Sequence, residues 1–162
     1  MKILLVYASK YGATKKAAEK LAEYLGDSVK LVNLKEGNLK GIRLKDYDTI
    51  AIGGSIYTGR IQKEVTKFCS DYKSEIISKK LGLFICCGNE QEFDNQLRNS
   101  FEQELINHAI TKGYFGYEYN LKKMNFLFKM IIKKIANITK SESAIADNNI
   151  KDFAAKLVVE DN

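Results

Sequence analysis

The stretch SKYGAT, residues 9 to 14, places small and hydroxyl-bearing residues between an apolar run and a helix-like segment. Ser9 and Thr14 carry hydroxyl groups that can donate hydrogen bonds, and Gly12 permits a left-handed backbone or a close approach to a ligand. A helix that begins here would direct unpaired N–H groups and the positive end of its dipole at the loop. The residues therefore predict an anion site, with phosphate as the anion that suits it best.

Other phosphate loops and related sites can be excluded by inspection. A nucleotide-hydrolysing loop needs GxxxxGK(S/T), and a dinucleotide-binding fold needs GxGxxG after the first strand; neither pattern is present. A receiver domain that accepts a phosphoryl group would need acidic residues at the ends of its strands. Ala8 and Ser9 stand at the first of these places, and Gly53 and Gly54 stand at the second.

The sequence offers little for nucleophilic or metal chemistry. It contains three cysteines, Cys69, Cys86 and Cys87, and one histidine, His108. No CxxC pair or other metal-ligand spacing occurs, and a catalytic triad would have to use that one histidine as its base. We expect no metal site, no catalytic acid–base or nucleophilic residue, buried free thiols, and His108 at a helix surface.

Hydrophobic periodicity predicts strands and helices in alternation. Predicted strands cover residues 2–8, 28–34, 48–55, 81–88 and 114–119, and predicted helices cover 14–25, 61–76, 97–110, 121–140 and 150–160. This order is typical of an α/β fold, a doubly wound parallel sheet with helices on both faces. Ligands of such sheets bind at the carboxyl ends of the strands. Three loops lie there and have unusual composition: SKYGAT, GGSIYTGR and GNEQEF.

Length and composition limit the class of protein. The 162 residues suit one domain, which we assign to residues 1–162, and 45% hydrophobic with 28% charged residues is ordinary for a globular chain. The apolar run near the N-terminus is too short for a signal peptide or a membrane span. These features predict a cytoplasmic protein.

The SKYGAT loop resembles the TxTGxT phosphate loop of flavodoxins, with Ser9, Gly12 and Thr14 at the matching places and Tyr11 where a second threonine is usual. The resemblance implies a flavodoxin-like three-layer sandwich with five parallel strands in the order 2-1-3-4-5, and FMN as the cofactor. It implies that the FMN phosphate binds Ser9, Lys10, Tyr11, Gly12, Ala13 and Thr14. It also implies that the flavin ring lies between Gly54, Ser55, Ile56, Tyr57, Thr58 and Gly59 on one side and Cys87, Gly88, Asn89 and Phe93 on the other, with Tyr57 and Phe93 stacking on it.

A basic, apolar segment at residues 121–140 departs from ordinary flavodoxins, which are acidic, and the whole chain has a net charge of +6. On a helical wheel this predicted insertion has one apolar face, formed by Met124, Leu127, Phe128, Ile131, Ile135 and Ile138, opposite Lys122, Lys129, Lys133 and Lys140. Such a helix either covers the sheet or lies against an anionic membrane.

The insertion and the turn IGGSIYTGR are similar to those of the flavodoxin-type, menaquinone-dependent protoporphyrinogen oxidases. That resemblance implies an FMN-dependent oxidoreductase that oxidises a porphyrinogen and passes electrons to a quinone, with peripheral contact at the inner face of the membrane. A soluble electron carrier without an organic substrate, and a non-redox binding module, stay open as alternatives. The expected partner is a redox protein or a quinone rather than nucleic acid, and the oligomeric state stays open.

Overall fold

A parallel sheet forms the centre of the molecule in the computed structural model, which describes residues 1–37 and 39–159. Its strands are β1 (Ile3–Ala8), β2 (Val29–Asn33), β3 (Thr49–Ser55), β4 (Lys80–Cys86) and β5 (Thr111–Tyr114). Every neighbouring pair is parallel, and the order is β2-β1-β3-β4-β5. The predicted fold and strand order are confirmed, and the carboxyl ends of β1, β3 and β4 lie side by side at one edge.

Helices cover both faces of the sheet. They are α1 (Ala13–Leu25), α2 (Lys63–Asp71), α3 (Lys73–Ile77), α4 (Phe93–Ser100), α5 (Gln103–His108), α6 (Phe126–Ala136) and α7 (Asp147–Leu157). The predicted helices over 61–76 and 97–110 are each two shorter helices, because the chain leaves helical geometry at Tyr72 and at Phe101. The last residue of the helix predicted over 150–160 lies outside the described residues.

The period of two along each strand divides the core into two clusters. In β1, Leu4 and Val6 join the cluster beneath α2 to α5, whereas Ile3 and Leu5 join the cluster beneath α1 and α7. Adjacent residues at the end of β4 divide in the same way, since Cys86 belongs to the second cluster and Cys87 to the first. The two clusters form apolar layers on the two faces of the sheet. Both layers pack beneath the carboxyl ends of the strands, where the three loops lie.

The strand predicted over 114–119 is wrong in detail. Only Tyr114 of that range belongs to β5, and the chain then turns at Gly116, where φ is +81°. Residues 116–119 form β6 (Gly116–Tyr119), which pairs antiparallel with β7 (Glu142–Ile145) as a separate two-stranded ladder. Gly116 is required at the corner, because a Cβ there would collide with the Ala144 carbonyl oxygen.

The insertion is helical over a shorter range than predicted. The Asn125 side chain accepts a hydrogen bond from the Phe128 N–H at 2.8 Å and caps the start of α6. Asn137, with φ at +54°, ends the helix in the left-handed conformation. Residues 121–124 are a turn instead, since the Leu121 N–H donates to Ser141 Oγ and the Lys123 N–H donates to the Asn120 carbonyl.

The predicted apolar face of the insertion does not pack as one surface. Met124 is buried in the turn before α6, whereas Leu127 is exposed. Phe128 and Ile132 pack against a small cluster around Tyr11. The helix therefore presents apolar residues both towards the sheet edge and towards solvent.

Candidate cofactor site

The loop after β1 leaves the first turn of α1 open to a ligand. Gly12 is the N-cap residue, with φ at +104°, and no side chain caps the helix. Ser9 supports the loop from within, because its Oγ accepts a hydrogen bond from the Gly12 N–H at 3.1 Å. No acidic residue lies in the first turn of α1. The positive end of this helix is thus uncompensated by the helix itself.

Thr14 directs its side chain towards the sheet. Its hydroxyl is hydrogen-bonded to the Ser55 hydroxyl, and both residues are buried. The Ser55 N–H in turn donates to Gln62 Oε1 at 3.0 Å. Thr14 and Ser55 therefore fasten the first loop to the third strand, and Ala13 and Thr14 present backbone N–H groups at the start of the helix.

An aromatic cluster stands beside this loop. The rings of Tyr11, Tyr57 and Phe128 contact one another at centroid distances of 5.2 to 5.6 Å. The Lys10 ammonium lies over all three, at 5.1 Å from Tyr11, 5.9 Å from Tyr57 and 5.4 Å from Phe128. Lys10 is thus engaged in cation–π contacts. The buried Tyr11 hydroxyl has no hydrogen-bond partner among the described residues.

The loop after β3 is a tight turn. Tyr57 and Arg60 exchange backbone hydrogen bonds at 2.9 and 3.0 Å, and the two central residues, Thr58 and Gly59, have φ of +48° and +75°. Positive φ at both central positions is the requirement of a type I′ turn. The turn fixes Tyr57 and Ile56 at the edge of the sheet, and Gly54 lies behind them against Ile61 and Gln62.

The loop after β4 is covered by a tyrosine from β6. The Tyr119 hydroxyl occupies the place that a Cβ on Gly88 would take, so glycine is needed for this contact. Cys87 is buried and its thiol donates to the Asn89 carbonyl oxygen at 3.5 Å. The Asn89 side chain accepts a hydrogen bond from the Gln91 N–H at 3.0 Å and so shapes the turn that follows.

The structure does not bring Phe93 to the place that the sequence analysis gave it. Its ring packs against Tyr114, with centroids 6.3 Å apart, on the side of the sheet covered by α4. The reason is that a short 3-10 helix, Glu90–Glu92, precedes α4 and turns Phe93 away from the loop. The ring that contacts Tyr57 is Phe128 of α6 instead, with centroids 5.2 Å apart.

A cleft of about 590 Å³ lies between these loops and α6. Of the predicted residues, the cleft is lined by Ile56, Tyr57, Thr58, Gly59, Cys87, Gly88 and Asn89. A smaller adjoining pocket is lined by Ala13 and Ser55 as well as by Tyr57 and Tyr119. Together the two pockets are lined by nine of the sixteen predicted residues. The residues that line neither pocket are Ser9, Lys10, Tyr11, Gly12, Thr14, Gly54 and Phe93.

The sequence analysis missed several residues that line the cleft. They are Glu92, Gln96, Tyr119, Phe128, Ile131, Ile132, Ile135 and Ala136. The apolar periodicity of the insertion marked Phe128, Ile131 and Ile135 as one face, which was the available signal, but it could not show that the face meets the cleft. Tyr119 had no signal, because its place depends on the β6–β7 ladder.

The tyrosine and cysteine side chains around the cleft stay neutral near pH 7. Burial raises the pKa of Tyr57 to about 12, although a hydrogen bond from Ser55 opposes this. Burial also raises the pKa of the Cys86 thiol to about 12 and raises the pKa values of Cys87 and Tyr119. These groups can donate hydrogen bonds, and the thiols lack the ionised form that a nucleophile needs.

Comparisons with known proteins agree with this architecture. The sequence profile described as the flavodoxin domain matches residues 4–145. The chain therefore belongs to the flavodoxin-domain family, which supports an electron-transfer role. FMN is the cofactor that this membership supports.

Solved structures share the fold at low sequence identity. A short-chain flavodoxin associated with a bacterial microcompartment is 17% identical, with a TM-score of 0.62, over 98% of this chain and 97% of its own. A WrbA-like flavodoxin from Agrobacterium tumefaciens is 22% identical, with a TM-score of 0.55, over 96% and 94%. The rubredoxin oxygen:oxidoreductase of Desulfovibrio gigas is 18% identical, with a TM-score of 0.51; the match covers 98% of this chain but 37% of that longer one. No curated protein matches the chain by sequence.

The residues present fit FMN. The cleft has the volume of a typical small-molecule site. The uncapped start of α1 supplies N–H donors for a phosphate, and the buried Tyr11 hydroxyl lacks a partner within the described part of the chain. The individual ligand contacts named in the sequence analysis remain predictions.

A metal-ligand cluster and a membrane-spanning helix are both absent among residues 1–37 and 39–159. No group of three or more His, Cys, Asp or Glu side chains is arranged to hold a metal ion. No helix in these ranges combines the length and the apolar character needed to cross a bilayer.

Proposed function

We propose that this protein is an FMN-dependent oxidoreductase whose substrate is a flat, apolar molecule of the quinone or porphyrinogen class. The observation that carries the proposal is the wall that α6 adds to the cleft. Phe128, Ile131, Ile132 and Ile135 line it together with Tyr57 and Cys87. An electron carrier needs an accessible flavin edge, whereas apolar side chains beside the flavin would favour a flat, apolar guest.

Bound FMN would supply one- or two-electron transfer at its ring. The chain's own residues would bind and orient it: the N–H groups at the start of α1 hold the phosphate, and the Thr58–Gly59 turn holds Tyr57 at the ring. Tyr57 remains protonated, since burial raises its pKa to about 12, and it can serve as a neutral hydrogen-bond donor. The apolar side chains of α6 would exclude water from the substrate.

Oxidation of protoporphyrinogen with transfer to a quinone is the specific form of this proposal. Its support is the resemblance of the insertion and of the IGGSIYTGR turn to the protoporphyrinogen oxidases of this fold. The competing function is a soluble electron carrier that exchanges electrons with another protein and has no organic substrate. The oxidoreductase needs the apolar side chains of α6 to bind its organic substrate, whereas the soluble carrier does not need them.

The first experiment asks whether flavin binds. Purified protein is titrated with FMN, and the absorbance spectrum and fluorescence quenching are followed. Saturable quenching supports the proposal, and unchanged FMN fluorescence would favour the non-redox binding module.

The second experiment separates oxidoreductase from carrier. FMN-loaded protein is assayed for reduction of menadione, for oxidation of protoporphyrinogen, and for one-electron reduction of cytochrome c. Ile131→Asn, which places an amide in the α6 wall, should lower turnover of the apolar substrates roughly 10-fold or more. Cytochrome c reduction should stay at the wild-type rate. Ile110→Asn, at an exposed apolar position outside the cleft, is the matched control. Equal rates for wild type and Ile131→Asn with every acceptor would favour the carrier.

We also propose that the outer face of α6 contacts an anionic membrane surface. Phe126, Leu127 and Met130 are 78%, 71% and 54% exposed, although all three are apolar. Residues 120–141 contain six lysines and no aspartate or glutamate. Apolar side chains with lysines around them favour an anionic lipid surface, where the lysines meet headgroups and the apolar groups enter the interface.

A further inference from the structure

The loop that precedes α6 carries a lysine to the start of α1. Lys123 Nζ lies 3.5 Å from the position that a Cβ on Gly12 would occupy. Lys123 belongs to the insertion, far along the chain from Gly12, so the fold and not the local sequence creates this contact. The ammonium therefore stands beside the N-cap residue of α1.

The turn that bears Lys123 is fixed in place. Leu121 and Met124, on either side of it, are buried against Tyr11 of the first loop. The Leu121 N–H donates to Ser141 Oγ at 3.0 Å, which ties the start of the turn to the strand that follows α6. The packing of Leu121 and Met124 therefore fixes the backbone at Lys123, whereas the Lys123 side chain is exposed.

The other lysines near this helix start have partners, and Lys123 differs from them. Lys10 lies over three aromatic rings, Lys15 pairs with Glu19, and Lys16 pairs with Glu118. Among residues 1–37 and 39–159, no carboxylate forms an ion pair with Lys123. The first turn of α1 has no acidic residue either. Glu118 pairs with Lys16, and within the described part of the chain no carboxylate forms an ion pair with Lys123 at the positive end of the helix.

We propose that Lys123 binds the phosphate group of the flavin nucleotide, so that the insertion contributes directly to cofactor retention. This inference rests on the proposed function, because it takes FMN as the ligand of the cleft. A phosphate monoester carries close to two negative charges near pH 7. The amides of α1 supply directed hydrogen bonds to it, and the lysine supplies a full positive charge from the opposite side.

The test compares two flavins that differ only in the phosphate. Dissociation constants for FMN and for riboflavin are measured by fluorescence quenching with wild type, Lys123→Met and Lys122→Met, each checked for native circular dichroism. Lys122 is an exposed lysine of the same turn and controls for a loss of overall charge. We expect Lys123→Met to weaken FMN binding about tenfold, which is about 1.4 kcal/mol, and to leave riboflavin binding unchanged. Lys122→Met should change neither constant by more than about twofold.

Three outcomes decide the proposal. A loss confined to FMN and to Lys123→Met, with recovery in Lys123→Arg, supports it. An unchanged FMN constant, or an equal loss for FMN and riboflavin, overturns it and leaves the proposed function standing. Wild-type protein that binds neither flavin would instead overturn the proposed function, and this inference with it.

Discussion

Gly53 shows how one missing side chain organises the centre of the sheet. A Cβ at this position of β3 would lie 2.3 to 2.4 Å from three ring atoms of Phe84 on the neighbouring strand, which is a clash. Phe84 itself is fully buried and stacks on Phe115, with centroids 4.5 Å apart. The glycine therefore makes room for a large aromatic side chain of the second core cluster, close to the carboxyl edge that bears the loops.

We expect Gly53→Ala to destabilise the protein by about 1–3 kcal/mol, because the methyl group overpacks the core against the Phe84 ring. Urea unfolding followed by circular dichroism measures this loss. In a Phe84→Leu background, where the smaller side chain leaves space, the same substitution should cost at least about 0.5 kcal/mol less. Strict additivity of the two substitutions would show that the ring is not the cause.

At the scale of single residues, the sequence showed which loop residues could bind a ligand, but it did not show which residues contact distant parts of the chain. The loop residues Ser9, Gly12 and Thr14 could be recognised, because their types and spacing are local properties. The sequence could not show that the Thr14 hydroxyl bonds Ser55, or that Lys123 reaches Gly12, because both contacts join distant parts of the chain. Phe93 was placed by analogy, and the short helix before it turned the ring elsewhere.

At the scale of whole elements, α1 and α7 contact each other through the side chain of Asp147. Asp147, in the first turn of α7, accepts hydrogen bonds from Lys20 Nζ and from the Tyr24 hydroxyl, each at 2.8 Å. These bonds, Lys20 first, hold the pKa of Asp147 below its usual range. The same pair raises the pKa of Lys20. One exposed carboxylate thus links the two helices that cover the same face of the sheet.

We expect Asp147→Asn to lower the urea midpoint at pH 7, because a lowered folded-state pKa means that the ionised form stabilises the fold. That contribution is complete above the unfolded-state pKa of about 3.9 and is lost as the pH falls through the lower folded-state value. The difference between wild type and variant should therefore close below about pH 4. Asp152→Asn, on an exposed position of the same helix, is the control. A difference that stays constant from pH 7 to pH 3 would contradict a titrating contact.

The ends of α1 and α6 lie where a capping residue is present in the sequence. Gly26 closes α1 as its sequence predicted, and the Asn125 cap and Asn137 end confine α6 to 11 residues. The fifth strand was misplaced because β-propensity in YFGYEY does not reveal the partner strand. Its residues after Tyr114 pair with β7, a segment that had no strand prediction.

The molecule as a whole is basic, with 26 lysine and arginine residues against 20 aspartate and glutamate residues. Six of the lysines lie within residues 120–141, around the exposed apolar side chains of α6. The overall charge and the insertion therefore favour the same kind of partner, an anionic surface.

We expect the protein to sediment with phosphatidylglycerol vesicles and to remain in the supernatant with phosphatidylcholine vesicles. Each lysine near the surface contributes about 1 kcal/mol, and added salt should weaken binding. The triple variant Phe126→Ser, Leu127→Ser, Met130→Ser should lose most of the binding. Ile110→Ser with Val159→Ser removes exposed apolar groups elsewhere and is the control. Equal sedimentation with both lipids, or an unaffected triple variant, would contradict contact through α6.

The segment that carries Tyr119, Lys123 and Phe128 comes late in the chain, which matters for cofactor binding during synthesis. The first four strands of the sheet emerge from the ribosome before the segment that covers Gly88 and packs on Tyr11. A nascent chain that ends before this segment has the loop after β1 but neither Lys123 nor the α6 side chains of the cleft. With FMN bound as proposed, we expect its capture to follow translation of this segment.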